Sequence, residues 1–324
     1  MGKIHKPRAG SLQFWPRKRA KKILPRVNWI PLEEKYNGLL GFIAYKASML
    51  RVLAIDMTPD SMSKNKQVVI PVTALEVPPM KIFSVRFYKK TPNNYKVVTE
   101  VLSDSIEKEM KRKVKIPKQK KHTLDEMEKK LQEFDNIRII VYSLAKKTKI
   151  KKTPDIVEVG LGGSINEKFD FVKKFINKEL HFEDFFQENQ LVDVRGVTKG
   201  KGTAGPVKRF GIGLKAHKTE KGRRRPGSLG PWIPSRVTFR VAQAGQLGFF
   251  TRVEYNKKIL KIGKGEDLHK EIPFFDHFGN IKTTYLLLKG SVPGPSKRQL
   301  LLTVPLRETK KTKKERYEIL KIVK

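Results

Sequence analysis

The excess of positive charge is the feature that most limits what this chain can fold into. Lys and Arg number 70 against 32 Asp and Glu, which gives a formal net charge of +38 over 324 residues. A compact chain with this charge repels itself unless a polyanion neutralises it. Because 38% of the residues are apolar, a buried core is possible and a wholly disordered basic tail is excluded. The composition therefore predicts a folded protein that binds a polyanion.

Residue types that are missing or scattered exclude several classes of protein. The chain contains no cysteine, which excludes disulfides, thiolate metal sites, zinc ribbons and cysteine nucleophiles. Its six histidines lack metal-ligand spacing, and we expect neither a metal site nor a cofactor. No apolar run approaches the length of a membrane span. An organelle transit peptide is not expected, because Pro7, Pro16, Pro25 and Pro31 would break its amphipathic helix.

The N-terminal 36 residues are predicted to form an extended basic arm. Between Met1 and Arg26 there are nine basic residues and no acid. Such a segment cannot fold alone, and the aromatic rings of Phe14, Trp15 and Trp29 favour extended binding to RNA over a solubilising tail. The predicted RNA-binding residues of the arm, which spans 1–36, are Lys3, Lys6, Arg8, Arg17, Lys18, Arg19, Lys21, Lys22 and Arg26.

After the arm, short β-type runs and two helical signals predict a mixed but mainly β body. The predicted strands are Leu39–Ala44, Val68–Thr73, Lys81–Tyr88, Tyr95–Leu102, Ile137–Leu144, Asp155–Val159, Val237–Ala242, Gly248–Tyr255, Ile259–Ile262, Tyr285–Lys289 and Gln299–Val304. Capping boxes at Thr123–Glu126 and Ser164–Glu167 each predict the start of a helix. The basic run Lys108–Lys121 is equally compatible with a solvated helix face and with an RNA contact.

A basic, glycine-rich stretch near residues 195–240 predicts a functional loop. Arg195–Pro226 contains eleven basic residues, seven glycines and one acid, and cannot build a core. Trp232 follows between two prolines, where it could stack on an unpaired base; the alternative is a tryptophan folded back into a core. The predicted RNA-binding residues of the loop are Lys199, Lys201, Lys208, Arg209, Lys215, Lys218, Lys221, Arg223, Arg224, Arg225, Trp232 and Arg236.

Two glycine motifs superficially resemble nucleotide-binding loops, and neither has the required spacing. Only three residues separate Gly196 from Gly200-Lys201, one fewer than in a phosphate-binding loop, and Gly202 replaces the hydroxyl residue that binds magnesium. Gly160-Leu-Gly-Gly-Ser is followed by Ile165 where a dinucleotide fingerprint needs a small residue, and the supporting βαβ series is missing. We expect the loop glycines instead to let backbone amides and basic side chains approach phosphates.

The sequence resembles the large-subunit ribosomal protein L-three family. The residues that match its signature in spacing are Phe186, Asp193, Gly196, Thr198, Gly200-Lys201-Gly202, Gly205 and Arg209. Further matches, including Gly230-Pro231-Trp232 and Lys289-Gly290-Ser291-Val292-Pro293, extend the resemblance over essentially the whole chain, in a form that looks archaeal.

The resemblance implies a fold that composition alone does not show. The family fold is a closed six-stranded translation-protein β-barrel with an α/β insertion and two basic extensions that thread into large-subunit rRNA. On this chain the implied parts are the arm (1–36), the barrel (37–90 and 241–306, with 190–195), the insertion (91–189), the loop with its tryptophan tip (196–240) and a basic C-terminal segment (307–324).

The resemblance also implies a structural function without catalysis. Members are cytoplasmic constituents of the large ribosomal subunit that bind 23S rRNA, help to nucleate assembly and support the architecture near the peptidyl-transferase centre. Expected protein neighbours are L-fourteen and an L-twenty-four-type protein. Two positions depart from the family pattern: Glu220 stands where the eukaryotic proteins carry a methylated histidine, and Ile233 follows the loop tryptophan where a polar residue is common.

Two rival functions are compatible with the charge. An RNA-modifying enzyme with basic flanks would need a cofactor loop or an acid–base pair, and no such motif is distinguishable. A single-strand chaperone or chromatin-type binder would share the basic character but would not need so large an apolar core or a loop with a tryptophan at its tip.

Overall fold

The structure is a computed structural model that describes residues 10–92, 94–117 and 122–323, and it is mainly β, as predicted. In chain order the strands are β1 (Gly38–Leu39), β2 (Gly41–Asp56), β3 (Gln67–Val77), β4 (Met80–Lys90), β5 (Tyr95–Leu102), β6 (Asn136–Ser143), β7 (Ile156–Gly162), β8 (Glu179–Leu180), β9 (Leu191–Val197), β10 (Thr203–Ala204), β11 (Gly245–Gln246), β12 (Thr251–Lys264), β13 (Thr284–Lys289), β14 (Gln299–Thr303) and β15 (Tyr317–Val323). The α-helices are α1 (Ile30–Glu33), α2 (Leu124–Lys129), α3 (Ala145–Thr148), α4 (Ile165–Phe175), α5 (Pro206–Phe210), α6 (Gly265–Glu271) and α7 (Lys310–Lys314), and 3-10 helices span Lys108–Arg112, Leu131–Glu133 and Phe182–Asp184.

The chain divides into two compact units, which we describe separately. Met1–Ile23 and Val197–Arg252 form one, here called the extension unit; Leu24–Gly196 and Val253–Lys324 form the other, here called the body. Among the described residues, no helix is long and apolar enough to cross a membrane.

One long strand organises the larger sheet, whose order is β14-β9-β12-β13-β3-β2-β15 with an additional β14–β2 pairing. Strand β2 pairs with β14 near its start, from Tyr45↔Gln299 to Gly41↔Thr303, and with β3 over most of its length. Its far end pairs with β15. Polar residues interrupt the apolar run after Ala44, so the sequence predicted only the first part of β2; the strand continues because alternate residues remain buried.

A second sheet has the order β1-β7-β6-β4-β5, with β8 pairing to β4. Strand β4 belongs to this sheet, although the sequence assigned residues up to 90 to the barrel. The break that separates β4 from β3 is Pro78-Pro79, which lies between the two strands. The boundary predicted at residue 90 therefore falls inside the β4–β5 hairpin and is wrong.

The other predicted elements are largely present. Both capping boxes are confirmed, with the Thr123 and Ser164 hydroxyls accepting from the Glu126 and Glu167 amides at 3.4 Å. The predicted strands Gly248–Tyr255 and Ile259–Ile262 fall mainly in the single strand β12. Val237–Ala242 is not a strand; Val237 and Phe239 are 49% and 61% exposed. The basic run from Lys108 contains a short 3-10 helix, and its residues 118–121 lie outside the described part.

Trp29 is a core residue of the body, which corrects its assignment to an RNA-binding arm. The side chain is 2% exposed. Two glycines make room for it: a methyl group at Gly41 would lie 2.8 Å from the indole, and one at Gly160 would lie 2.9 Å from the Trp29 Cβ atom. Residues 24–36 therefore pack into the body, and the arm predicted to extend to residue 36 is shorter.

The glycines of the Gly160-Leu-Gly-Gly-Ser motif serve this packing rather than a dinucleotide. A methyl group at Gly162 would lie 1.6 Å from the Tyr36 carbonyl oxygen, so only glycine is possible where this segment crosses β7. Gly163 has a φ of +104° and precedes the capping box of α4. The motif is thus a site where two backbone segments approach closely.

The C-terminal segment (307–324), of which the sequence predicted only the basic character, contains α7 and a strand of the larger sheet. Strand β15 pairs with β2 from Tyr317↔Asp56 to Val323↔Arg51. The buried Lys258 ammonium donates to the carbonyl oxygens of Thr312 and Lys313, both at 3.1 Å, near the end of α7. Burial, with the nearby Arg316 charge, lowers the pKa of Lys258 to about 8.

We expect replacement of Trp29 by alanine to destabilise the body strongly. Loss of a buried tryptophan typically costs about 3–5 kcal/mol, because the cavity between the two glycines would not close. Urea unfolding of the full chain measures this loss. Trp232→Ala is the matched control: its indole is 91% exposed, so the free energy of unfolding should stay within about 0.5 kcal/mol of the original. Similar losses for both variants would contradict the core position of Trp29.

The lowered pKa of Lys258 predicts a pH-dependent contribution to stability. Its ordinary pKa is 10.5, so between about pH 8 and that value the unfolded chain binds more protons at this residue than the folded chain. The burial penalty on the ammonium is complete below pH 8 and is relieved as the pH rises. The free energy of unfolding of the original chain should therefore rise relative to that of Lys258→Met as the pH increases over that range. Urea titrations at a series of pH values test this, and a pH-independent difference would contradict it.

Candidate nucleic-acid interface

Backbone hydrogen bonds within the extension unit close the base of the loop between residues 198–204 and 245–250, so the loop extends beyond its predicted end at residue 240. Strands β10 and β11 pair, and the Lys201 amide donates to the Leu247 carbonyl at 2.9 Å while the Leu247 amide donates to Gly202. The Thr198 amide donates to the Phe250 carbonyl at 2.9 Å. The Lys201 amide is therefore already paired within the protein, whereas its side chain, like that of Lys199, is exposed.

Gly248 is required for this closure. Its φ is +71°, and a methyl group there would lie 2.0 Å from the Lys199 carbonyl oxygen. A side chain at this position would separate the two ends of the loop.

A small aromatic cluster connects the arm to the loop, although the sequence predicted that neither has a core. The Trp15 ring stacks on Phe210 with centroids 6.1 Å apart and meets Phe239 edge-on at 5.8 Å. The Arg17 guanidinium lies 4.3 Å from the Phe210 ring centroid and donates to the Arg209 carbonyl at 3.0 Å. Phe210 is buried by these contacts. The arm and the loop therefore form part of their tertiary structure together.

Arg209 has a structural role in this cluster. Its guanidinium donates to the carbonyl oxygens of Gln246 and Gln243, both at 3.0 Å, and lies 5.1 Å from the Phe210 ring centroid. Burial lowers the pKa of this side chain. Its donors are directed at the backbone of the loop, so its predicted contact with rRNA is not supported by the geometry.

One side chain and one backbone contact in this unit were not predicted. The Arg252 guanidinium lies 4.5 Å from the centroid of Phe14 and 5.0 Å from that of Phe250. The Ala20 amide donates to the Phe249 carbonyl at 2.9 Å, which fixes the end of the arm. The sequence carries little signal for Arg252, because its ring partner Phe14 lies in the arm, far from it in sequence.

Beyond the cluster, the loop tip is open to solvent. Every residue from 227 to 240 is exposed, and Trp232 reaches 91%. At the start of the tip, the Lys215 amide donates to the Arg223 carbonyl at 3.1 Å, and the Arg223 Nε donates back to the Lys215 carbonyl at 3.3 Å. This pair of contacts closes a turn that contains Glu220 and presents Arg224 and Arg225 outward. A core position for Trp232 is excluded.

Most predicted site residues are accessible. Lys3, Lys6 and Arg8 lie outside the described residues. Arg17, Arg209 and Lys215 are partly buried. The exposed ones are Lys18, Arg19, Lys21, Lys22, Arg26, Lys199, Lys201, Lys208, Lys218, Lys221, Arg223, Arg224, Arg225, Trp232 and Arg236. Arg26 lies in the body, and the other exposed residues lie in the extension unit.

Trp15→Ala should loosen the contact between arm and loop. A stacked aromatic pair contributes about 0.5–1.5 kcal/mol beyond its buried area, so exchange of the Ala20 amide should accelerate by about 2- to 10-fold. Hydrogen exchange on the full chain without RNA measures this, and Trp232→Ala, which removes an indole outside the cluster, should leave the exchange unchanged. Equal protection of Ala20 in the Trp15 variant and the original chain would contradict the proposed coupling.

Comparison with known proteins identifies the family. The family model described as Ribosomal protein L3 matches residues 1–323. The chain is 40% identical over 321 residues to "Large ribosomal subunit protein uL3" of Methanosphaera stadtmanae, covering 96% of this chain and 95% of that protein. It is 41% identical to the proteins of the same name from Methanobrevibacter smithii, over 96% and 95% of the two chains, and Methanocaldococcus jannaschii, over 94% and 92%. With a match of this length and identity, the chain belongs to the ribosomal protein L3 family.

Proposed function

We propose that this chain is a structural, non-catalytic constituent of the large ribosomal subunit in the cytoplasm, and that its extension unit binds 23S rRNA. The observation that carries the proposal is the solvent-exposed loop tip, which combines adjacent arginines with Trp232 at 91% exposure. An indole left in water has no packing role in the free protein, and unpaired RNA bases stack on such rings. The names of the relatives support the assignment to the large subunit.

The way in which the loop is held also supports RNA binding. Backbone pairing at its base and the Trp15 cluster fix the start and end of the loop, while residues 227–240 are left exposed. Residues 197–252 of the extension unit include only one acid, Glu220, so almost no carboxylate competes with phosphate for the basic side chains. Arginine forks bind phosphate oxygens in pairs and stack on bases, which suits structured RNA.

For the body we propose that β14, β9, β12, β13, β3 and β2 close into the six-stranded β-barrel that the family resemblance implies. The supporting observation is that β14 pairs on one side with β9, as in Leu301↔Arg195, and on the other with the start of β2. The proposed partners of the assembled protein are 23S rRNA and neighbouring ribosomal proteins, among them L-fourteen and an L-twenty-four-type protein. Its proposed role is to help nucleate assembly and to support the architecture near the peptidyl-transferase centre.

Replacing Arg223, Arg224 and Arg225 by alanine should lower rRNA affinity and its salt dependence together. Each lost phosphate contact reduces the slope of log K against log salt by about 0.7–0.9. Filter binding of the full chain to 23S rRNA transcript over a range of salt concentrations measures both quantities.

The matched control replaces the same three arginines by lysine. Lysine keeps the charge, so the salt slope should be preserved, while affinity falls because paired hydrogen bonds and stacking are lost. An unchanged slope in the alanine variant would contradict phosphate binding by the tip.

A further inference from the structure

We propose that the body carries a second RNA-binding surface, separate from the loop, that binds the phosphate backbone without reading bases. We call it the insertion basic surface. Its members are Lys108, Lys111, Arg112, Lys113, Lys115, Lys146, Lys147, Lys149 and Lys152, all of which are exposed. The inference rests on the proposed function, because the same rRNA is the partner. It adds a second contact between that RNA and other elements of the protein.

The first half of this surface is a short basic segment that is anchored to the body. Met110 is completely buried in a small apolar cluster with Phe83 and Tyr142. The amides of Lys113 and Val114 both donate to the Met110 carbonyl, at 2.9 and 3.0 Å. A lysine-rich loop that is only solvated needs no such anchor. Here the backbone around Met110 is held in place, which lowers the entropic cost of ordering this segment on binding.

The second half lies beside the first, on and after α3. The Lys146 ammonium binds the Glu109 carboxylate at 2.6 Å, which joins the two segments directly. A cleft of about 220 Å³ lies between them and is lined by residues of both, including Glu107 and Lys152. Lys146, Lys147 and Lys152 therefore lie next to the segment that carries Glu107 and Glu109, although the two come from separate parts of the chain.

Carboxylates at and beside this surface pair with lysines, and the nine basic members outnumber the three carboxylates Glu107, Glu109 and Glu179. Glu107 binds Lys81 at 2.7 Å, and Glu179 binds Lys147 at 2.6 Å. At the same end of α3, the Lys149 side chain lowers the pKa of the adjacent Lys282, as expected when two ammonium groups lie side by side. Such like-charged neighbours are stabilised when an anion binds between them.

The residue types indicate how this surface differs from the loop. Eight of its nine members are lysines, and among the described residues it lacks the exposed aromatic ring that Trp232 gives the loop tip. Lysine binds phosphate as a point charge with little geometric selectivity. A protein partner would instead require exposed aromatic or aliphatic anchors. The chemistry is that of phosphate-backbone binding, which positions RNA without specifying its sequence.

Charge removal at matched positions tests the proposal. The variant Lys111→Gln, Arg112→Gln, Lys113→Gln keeps Met110 and removes three charges; the control Lys89→Gln, Lys90→Gln, Lys96→Gln removes three exposed charges from the β4–β5 hairpin. With 23S rRNA transcript, the salt slope should fall by about 2–3 in the first variant, at about 0.7–0.9 per contact, and stay unchanged in the control. An unchanged slope in the first variant, or an equal fall in both, would overturn the proposal.

Tethered cleavage distinguishes this surface from the loop. Because the chain has no cysteine, Lys113→Cys and Ser228→Cys each provide a single attachment point for an iron chelate that cleaves nearby RNA. Cleavage of two different rRNA segments supports the proposal. Cleavage from position 228 alone, or of the same segment from both positions, overturns it while the proposed function stands. Cleavage from neither position would contradict the proposed function as well.

Discussion

Repulsion among the basic residues is the constraint on which the rest of the structure depends. The two units compensate their positive charges in different ways. In the body, carboxylates are available: Glu33 accepts from Arg138 at 2.7 Å and from Asn136 at 2.8 Å, and Glu315 accepts from Lys289 at 2.7 Å. In the described part of the extension unit, Glu220 is the only carboxylate side chain. Arginines there lie over rings and donate to carbonyl oxygens instead, because few other acceptors are within reach.

This difference explains why the extension unit can be partly folded and still bind a polyanion. Arg17 contacts the Phe210 ring, and Arg209 donates to backbone carbonyl oxygens. These contacts fix the two side chains without neutralising their charges. An ion pair would have reduced the local positive potential, whereas a ring or a carbonyl leaves a full positive charge in the unit. The fold of the loop base therefore adds order without weakening attraction to phosphate.

The sequence predicted those features that depend on local pattern. Both capping boxes, strand β5 and most core strands follow from spacing and alternation, and Trp232 was correctly placed outside a core because its neighbours are polar and basic.

Features that depend on distant partners were missed. Trp29 is followed by apolar residues but adjoins a basic run, and its burial requires Gly41 and Gly160 far along the chain. Similarly, β15 is a strand because β2 extends beyond its apolar start. Arg209 belongs to the family signature, but its carbonyl partners at residues 243 and 246 are visible only in three dimensions.

The pairing of β2 with strands from the far end of the chain has a consequence for synthesis. One edge of β2 pairs with the neighbouring strand β3, but its other edge meets β14 at the start and β15 at the far end, both of which come late in the chain. Until then the nascent polypeptide exposes an unpaired backbone edge together with much of its positive charge, a combination that favours aggregation and non-specific capture by any nearby nucleic acid. The larger sheet can thus be completed only after β14 and β15 have been synthesised, which makes the order of synthesis a constraint on folding.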